Sequence, residues 1–159
     1  MNRHRTMTAF YLETVLMVII FVLVIAILSQ VFGLARSESR QAQQLTNAVC
    51  LAQNAAQAAA GADSEEGMLR LLDENGNARI EDRDGSSVVT AWYDGDMHPV
   101  SAEAAAADES ALRLEATWAP KQSQTGSFVN SDIAVYAGAS KDPVYTLNTG
   151  VYLREEGAR

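Results

Sequence analysis

Between Thr14 and Leu28 the chain carries no charged residue and, after Thr14, no polar side chain. The apolar run continues to Ala35, interrupted only by Ser29, Gln30 and Gly33. As a helix rising about 1.5 Å per residue, such a segment reaches across a hydrocarbon core of about 30 Å. Its Val and Ile content would suit a strand in water. A lipid-exposed segment must satisfy its own backbone, however, and a lone helix does so where a lone strand does not. The first constraint is therefore a transmembrane helix over 10–35, preceded by a basic leader over 1–9.

Arg3, His4 and Arg5 stand before the span, and Arg36, Glu38 and Arg40 stand after it. This bias predicts a cytoplasmic N-terminus, set by Arg3 and Arg5, and an extracytoplasmic C-terminal part. The whole chain has a formal charge of −8, and the part beyond Glu13 is more acidic still. An acidic body argues against nucleic acid as a partner, because phosphate neutralisation needs cations. A cleaved signal peptide is the alternative reading of the span. Gly33-Leu34-Ala35 offers small residues for cleavage after Ala35, but the run exceeds the usual apolar region of about 7–15 residues. Cys50 is the only cysteine. It lies too far beyond the apolar run for a lipoprotein and reads as a small core residue.

Glu13 sits at the edge of the span, where a carboxylate is costly and calls for a functional reading. One reading places it at headgroup level in the first helical turn, favoured by the helix dipole. The other has it neutralise a positive group on a neighbouring subunit.

Helix formers continue past Arg36, with neither Pro nor Gly until Gly61. Ala42, Leu45, Val49, Ala52, Ala56 and Ala59 recur in steps of three and four, predicting an amphipathic helix over 36–60 with a narrow, small-residue stripe. Gly61 is its expected stop. The element as a whole should run from about Phe10 to Ala60.

Beyond Ala62 the pattern changes to short β-like runs separated by turns. Residues 68–72 fit a strand or a helical turn, and 73–77 a turn. A short strand is expected at 78–81 and a clear one at 87–93. Asp94-Gly95 should turn the latter into a hairpin with 96–100, and 101–110 is a loop or a single helical turn. Leu112, Leu114, Ala116 and Trp118 alternate with Arg113, Glu115 and Thr117, marking a half-buried antiparallel strand. Residues 120–126 read as polar loop, with further strands at 128–136 and 143–153. The expected fold class is α+β: one long N-terminal helix whose second half packs on a C-terminal antiparallel sheet spanning 61–159.

Catalytic and metal chemistry find little support. Asp73, Asn75 and Asn77 are spaced like calcium-loop ligands, but Ala78 stands where an EF-hand needs glycine and Asp84 where it needs a bidentate Glu. Asp94, Asp96 and His98 fit a turn better than a metal site. His98 is the only histidine beyond the leader, so no nucleophile–base pair is visible. Trp92 and Trp118 read as core residues. The expectation is a non-enzymatic protein with no cofactor and no metal.

Phe10-Tyr11-Leu12-Glu13-Thr14-Val15-Leu16, heading a spanning helix behind a short basic leader, resembles the start of type IV pilins and pseudopilins. The likeness in motif covers about residues 3–35. The Ala/Gln-rich helix and Asp132-Ile133-Ala134-Val135-Tyr136 are similar to the small pilin-like proteins of Gram-positive bacteria. The resemblance implies a structural subunit, of the minor kind, of a type IV pilus, competence or secretion pseudopilus. Its partners would be the membrane, other pilin-like subunits, a prepilin peptidase and assembly machinery. It also implies that Glu13 pairs with the N-terminal amine of an adjacent subunit during helix bundling. The family has glycine before the cleavage point and glutamate fifth in the mature, N-methylated chain. Here cleavage before Ala9 makes Glu13 fifth but leaves Thr8 preceding the cut. Cleavage before Phe10 leaves Ala9 preceding it and makes Glu13 fourth. With the leader retained, Arg3 or Arg5 of a neighbour takes the place of the amine. The alternative function is a single-pass, membrane-anchored extracytoplasmic binding or sensory domain that does not polymerise.

Overall fold

The computed structural model describes residues 3–83, 85–123 and 126–154. Helix α1 runs without interruption over Arg3–Gly61. It starts seven residues before the expected Phe10, so residues 3–9 of the basic leader belong to the helix. The chain divides into two compact units between Ala42 and Gln43, and α1 contributes to both.

In the first unit the apolar side chains of α1 are exposed, from 47% at Val24 and Ile25 to 74% at Leu12. This segment alone among the described residues is long and apolar enough to cross a membrane. Ser29 turns its hydroxyl back onto the Ile25 carbonyl at 2.9 Å, which hides a polar group that would be costly in hydrocarbon.

The second unit is an α+β domain. After α1 come α2 (Glu65–Leu72), β1 (Ala78–Arg83), β2 (Ser86–Tyr93), α3 (Ala102–Ala106), β3 (Leu112–Ser123), β4 (Gly126–Ala137) and β5 (Tyr145–Arg154). The five strands form one antiparallel sheet in chain order, β1-β2-β3-β4-β5. Ser64 resolves the ambiguous segment after Gly61 as a helix. Its hydroxyl accepts from the Gly67 amide at 3.1 Å, with Glu65 and Glu66 in the first turn.

One sheet face is the core. Val89, Ala91 and Tyr93 of β2, Leu112, Leu114, Ala116 and Trp118 of β3, and Val129, Ile133 and Val135 of β4 form one buried cluster with Met68 and Leu72 of α2. Helix α1 joins that cluster through Ala48, Leu51, Ala52, Ala55, Ala58 and Ala59. The expected stripe is thus displaced by roughly a quarter turn, at about 100° per residue. Leu45 is exposed, Val49 and Ala56 are only half-buried, and Ala52 and Ala59 alone are shared with the fully buried set. Alanine occurs on every side of this helix, so apolar period alone did not fix its phase. Cys50, expected in the core, is a half-buried free thiol.

Two strand expectations are corrected. Residues 96–100 form no strand: they meet β2 only at the Tyr93–Pro99 bridge, because β1 and β3 already occupy both edges of β2. Residues 120–123 are strand where polar loop was expected. Pro120 is tolerated because β2 pairs with β3 only as far as Trp118, so beyond it β3 has β4 as its single neighbour. Gly138, after β4, has φ 51° and donates its amide to the Ala111 carbonyl at 2.8 Å. At Gly150 of β5 the Phe128 ring occupies the space that a β-carbon would take.

Candidate functional site

Glu13 lies in the described helix, exposed, where the apolar run begins. It stands about three turns into α1 because the helix begins at Arg3, so the first-turn dipole does not account for it. Thr8, Ala9 and Phe10, the expected processing positions, lie within the same helix, as do Arg3 and Arg5. Among the residues whose side chains are described, 11 onward, none brings a cation to Glu13 in an ion pair. Thus the geometry unites three features in one rod: a basic start, a carboxylate at the apolar boundary, and an exposed apolar surface beyond it.

The sheet face opposite the core carries a feature that the sequence reading missed. Alternate positions of β1 and β3 place Arg79, Glu81, Arg83, Arg113 and Glu115 there, in register with Ser86, Val88, Thr90 and Trp92 of β2. Arg79 pairs with Glu81 at 2.9 Å, and Arg83 reaches Glu81 at 3.3 Å and Glu115 at 3.1 Å. Arg113 Nε stands 3.2 Å from Glu115 without hydrogen-bond alignment, so charge alone holds that pair. Glu115, foremost, and then Glu81 hold the Arg83 guanidinium above its ordinary value. The Arg79 and Arg113 guanidinium groups lie 4.7 and 4.6 Å from the ring centres of Trp92 and Tyr136. Same-side charges of opposite sign at every second residue were the available signal, but it acquires meaning only once strand register is known.

Trp118 occupies the main core as expected, whereas Trp92 does not. It packs on the opposite face with Ala105 and Ala111, flanked by Val100 and Ala102. A cleft of about 450 Å³ opens there between α3, Trp92, Arg113 and Gly138.

The remaining candidates are used by the fold. Asn77 is buried, accepts from the Glu74 amide at 3.0 Å and donates to the Trp92 carbonyl at 3.2 Å. Asp73 accepts from the Ala78 amide, and Glu81 is held by two arginines; Asp84 lies outside the described residues. Asp94 accepts from the Asp96 and His98 amides, each at 2.9 Å, and meets His98 Nδ1 at 3.1 Å. The His98 amide is the chief cause of its lowered pKa. These oxygens shape a turn. No family model, curated protein or solved structure matches the chain.

Proposed function

We propose that this protein is a membrane-inserted, pilin-like structural subunit whose helices bundle in a filament. One observation carries the reading: α1 is a single helix with an exposed apolar first part, Glu13 at its boundary, and a second part buried in an α+β domain. Transfer of such a helix from lipid to a protein bundle yields little hydrophobic free energy, so close packing and charge pairing must direct it. Glu13 supplies the carboxylate of that pairing; the partner is the new amine at Ala9 or Phe10, or Arg3 or Arg5 of a neighbour. The acidic sheet domain is extracytoplasmic in this reading.

The test is the intact mass and N-terminal sequence of the protein from native membranes, alongside Glu13→Gln. A chain beginning at Ala9 or Phe10 with an added methyl group is the expected result for processing. Glu13→Gln should reach the membrane normally yet fail to enter filaments. A chain beginning at Arg36, or normal assembly of the Gln variant, overturns the proposal.

The cleft beside Trp92 and Arg113 favours a second reading, an anchored domain that binds a ligand and does not polymerise. In that case Glu13→Gln changes nothing and no filament contains the protein.

A further inference from the structure

The two edges of the sheet differ in a way that points to self-association. Edge strands offer unpaired backbone groups to other chains, and proteins guard them with charge, proline or shortness. Strand β1 is guarded: it has six residues, among them Arg79, Glu81, Asp82 and Arg83. Strand β5 is not. It has ten residues, and from Tyr145 to Leu153 it carries no charge, in a chain whose net charge is −8.

The residues of β5 also fit themselves. On the core face Tyr145, Leu147, Thr149, Val151 and Leu153 are only half-buried, since β4 covers them from one side alone. Place a second β5 antiparallel to the first across a two-fold axis at Thr149. Leu147 then faces Val151 of the other copy, Tyr145 faces Leu153, and Thr149 faces itself. Every apolar residue of that face meets an apolar residue, and Asn148 meets Gly150 on the opposite face. Pairing with β1 of another copy would set this uncharged row against a strand that is two-thirds charged.

We infer that β5 is an interface at which two copies of this chain join their sheets, antiparallel and centred on Thr149, into one continuous sheet. Such an interface is isologous, each copy giving the same strand. It needs neither the apolar helix nor a filament, and so goes beyond the function proposed above.

Opposed residues in an antiparallel pair have Cα atoms about 4.5–5.5 Å apart, within the range of about 4.4–6.8 Å that a disulfide spans. The full chain, with Cys50→Ala to remove the native thiol, is therefore oxidised in mild detergent with copper phenanthroline. Thr149→Cys should yield covalent dimer. Leu147→Cys and Val151→Cys should each remain uncross-linked alone and cross-link when mixed, because their own symmetry mates lie four residues out of register. Thr149→Lys, which sets two like charges face to face, should abolish cross-linking of the Leu147→Cys and Val151→Cys mixture when added to both, while the tryptophan-monitored melt stays in place. The inference is overturned by absence of the Thr149→Cys dimer in a chain that melts normally. Equal cross-linking of the single variants, or cross-linking of Thr149→Cys to Asp82→Cys on β1, overturns it as well.

Discussion

The Asn47 side-chain amide donates to the Gly95 carbonyl at 2.9 Å, joining α1 to the loop after β2 across 48 residues of sequence. It is a specific polar tie beside a contact in which Leu51 is the one large side chain among five buried alanines, and alanines interlock less selectively than larger side chains. Asn47→Ala should leave the fold intact and cost about 1 kcal/mol. Trp92 and Trp118 are the only tryptophans and both lie in the sheet, so a fluorescence-monitored melt reads this domain selectively.

The helix face that meets the sheet has a sharp mutational signature. Ala55 has no exposed surface, and a larger residue there must push helix from sheet. Ala55→Leu should destabilise the domain by about 1–3 kcal/mol. Leu45→Ala, at a position 46% exposed, should change stability by less than about 0.5 kcal/mol. The reverse order in denaturant titration would return the contact to the stripe that apolar spacing alone suggested.

Thr90 should be improvable. Its hydroxyl is buried on the charged sheet face with no hydrogen-bond partner among the described residues. Thr90→Val keeps the shape and the branched β-carbon while removing the unsatisfied group, and should stabilise by about 1 kcal/mol. A lowered midpoint would mean that the hydroxyl has a partner.

Gly138 should resist substitution. At φ 51°, with the Glu109 carbonyl oxygen 2.9 Å from the site of an added β-carbon, alanine meets both backbone strain and a fixed backbone atom. Gly138→Ala should cost about 1–3 kcal/mol, read as a lower melting temperature with unchanged far-ultraviolet circular dichroism.

Tyr93 should set an alkaline limit. Burial raises its pKa above 10.0, against the opposing hydrogen bond from Asn77. The unfolded phenol ionises first, so the stability it contributes is full below pH 10 and lost as pH rises toward the higher folded value. The part of the tyrosinate absorbance that Tyr93→Phe removes should rise together with the change in tryptophan emission, and Tyr93→Phe should extend stability to higher pH.

How far the sequence speaks depends on what each signal measures. The apolar span, Ser86–Tyr93 and the alternation over Leu112–Trp118 were legible because length and period two are local properties. The phase of an alanine-rich helix is not local; it is chosen by the sheet it meets. Asp94-Gly95 looked like a hairpin turn, and it is a turn, but whether the returning chain becomes a strand depends on vacant edges of β2. Pro120 looked like the end of β3 because the sequence does not disclose that β2 has already stopped. The arginine–carboxylate lattice was invisible for a related reason: Arg83 and Glu115 are neighbours only by way of β2.

The order of the strands also sets the order of events in folding. Each strand pairs with the next along the chain, so the sheet grows by successive short closures, each costing little chain entropy. Docking of α1 joins residues far apart in sequence, Ala55 among them with Ile133 in the same cluster. The rate-limiting step expected of such a topology is the arrival of the helix on a sheet that has already begun to zip. A mutation at Ala52 or Ala55 should therefore act on that docking, while one within the β3–β4 hairpin acts on the zipping that precedes it.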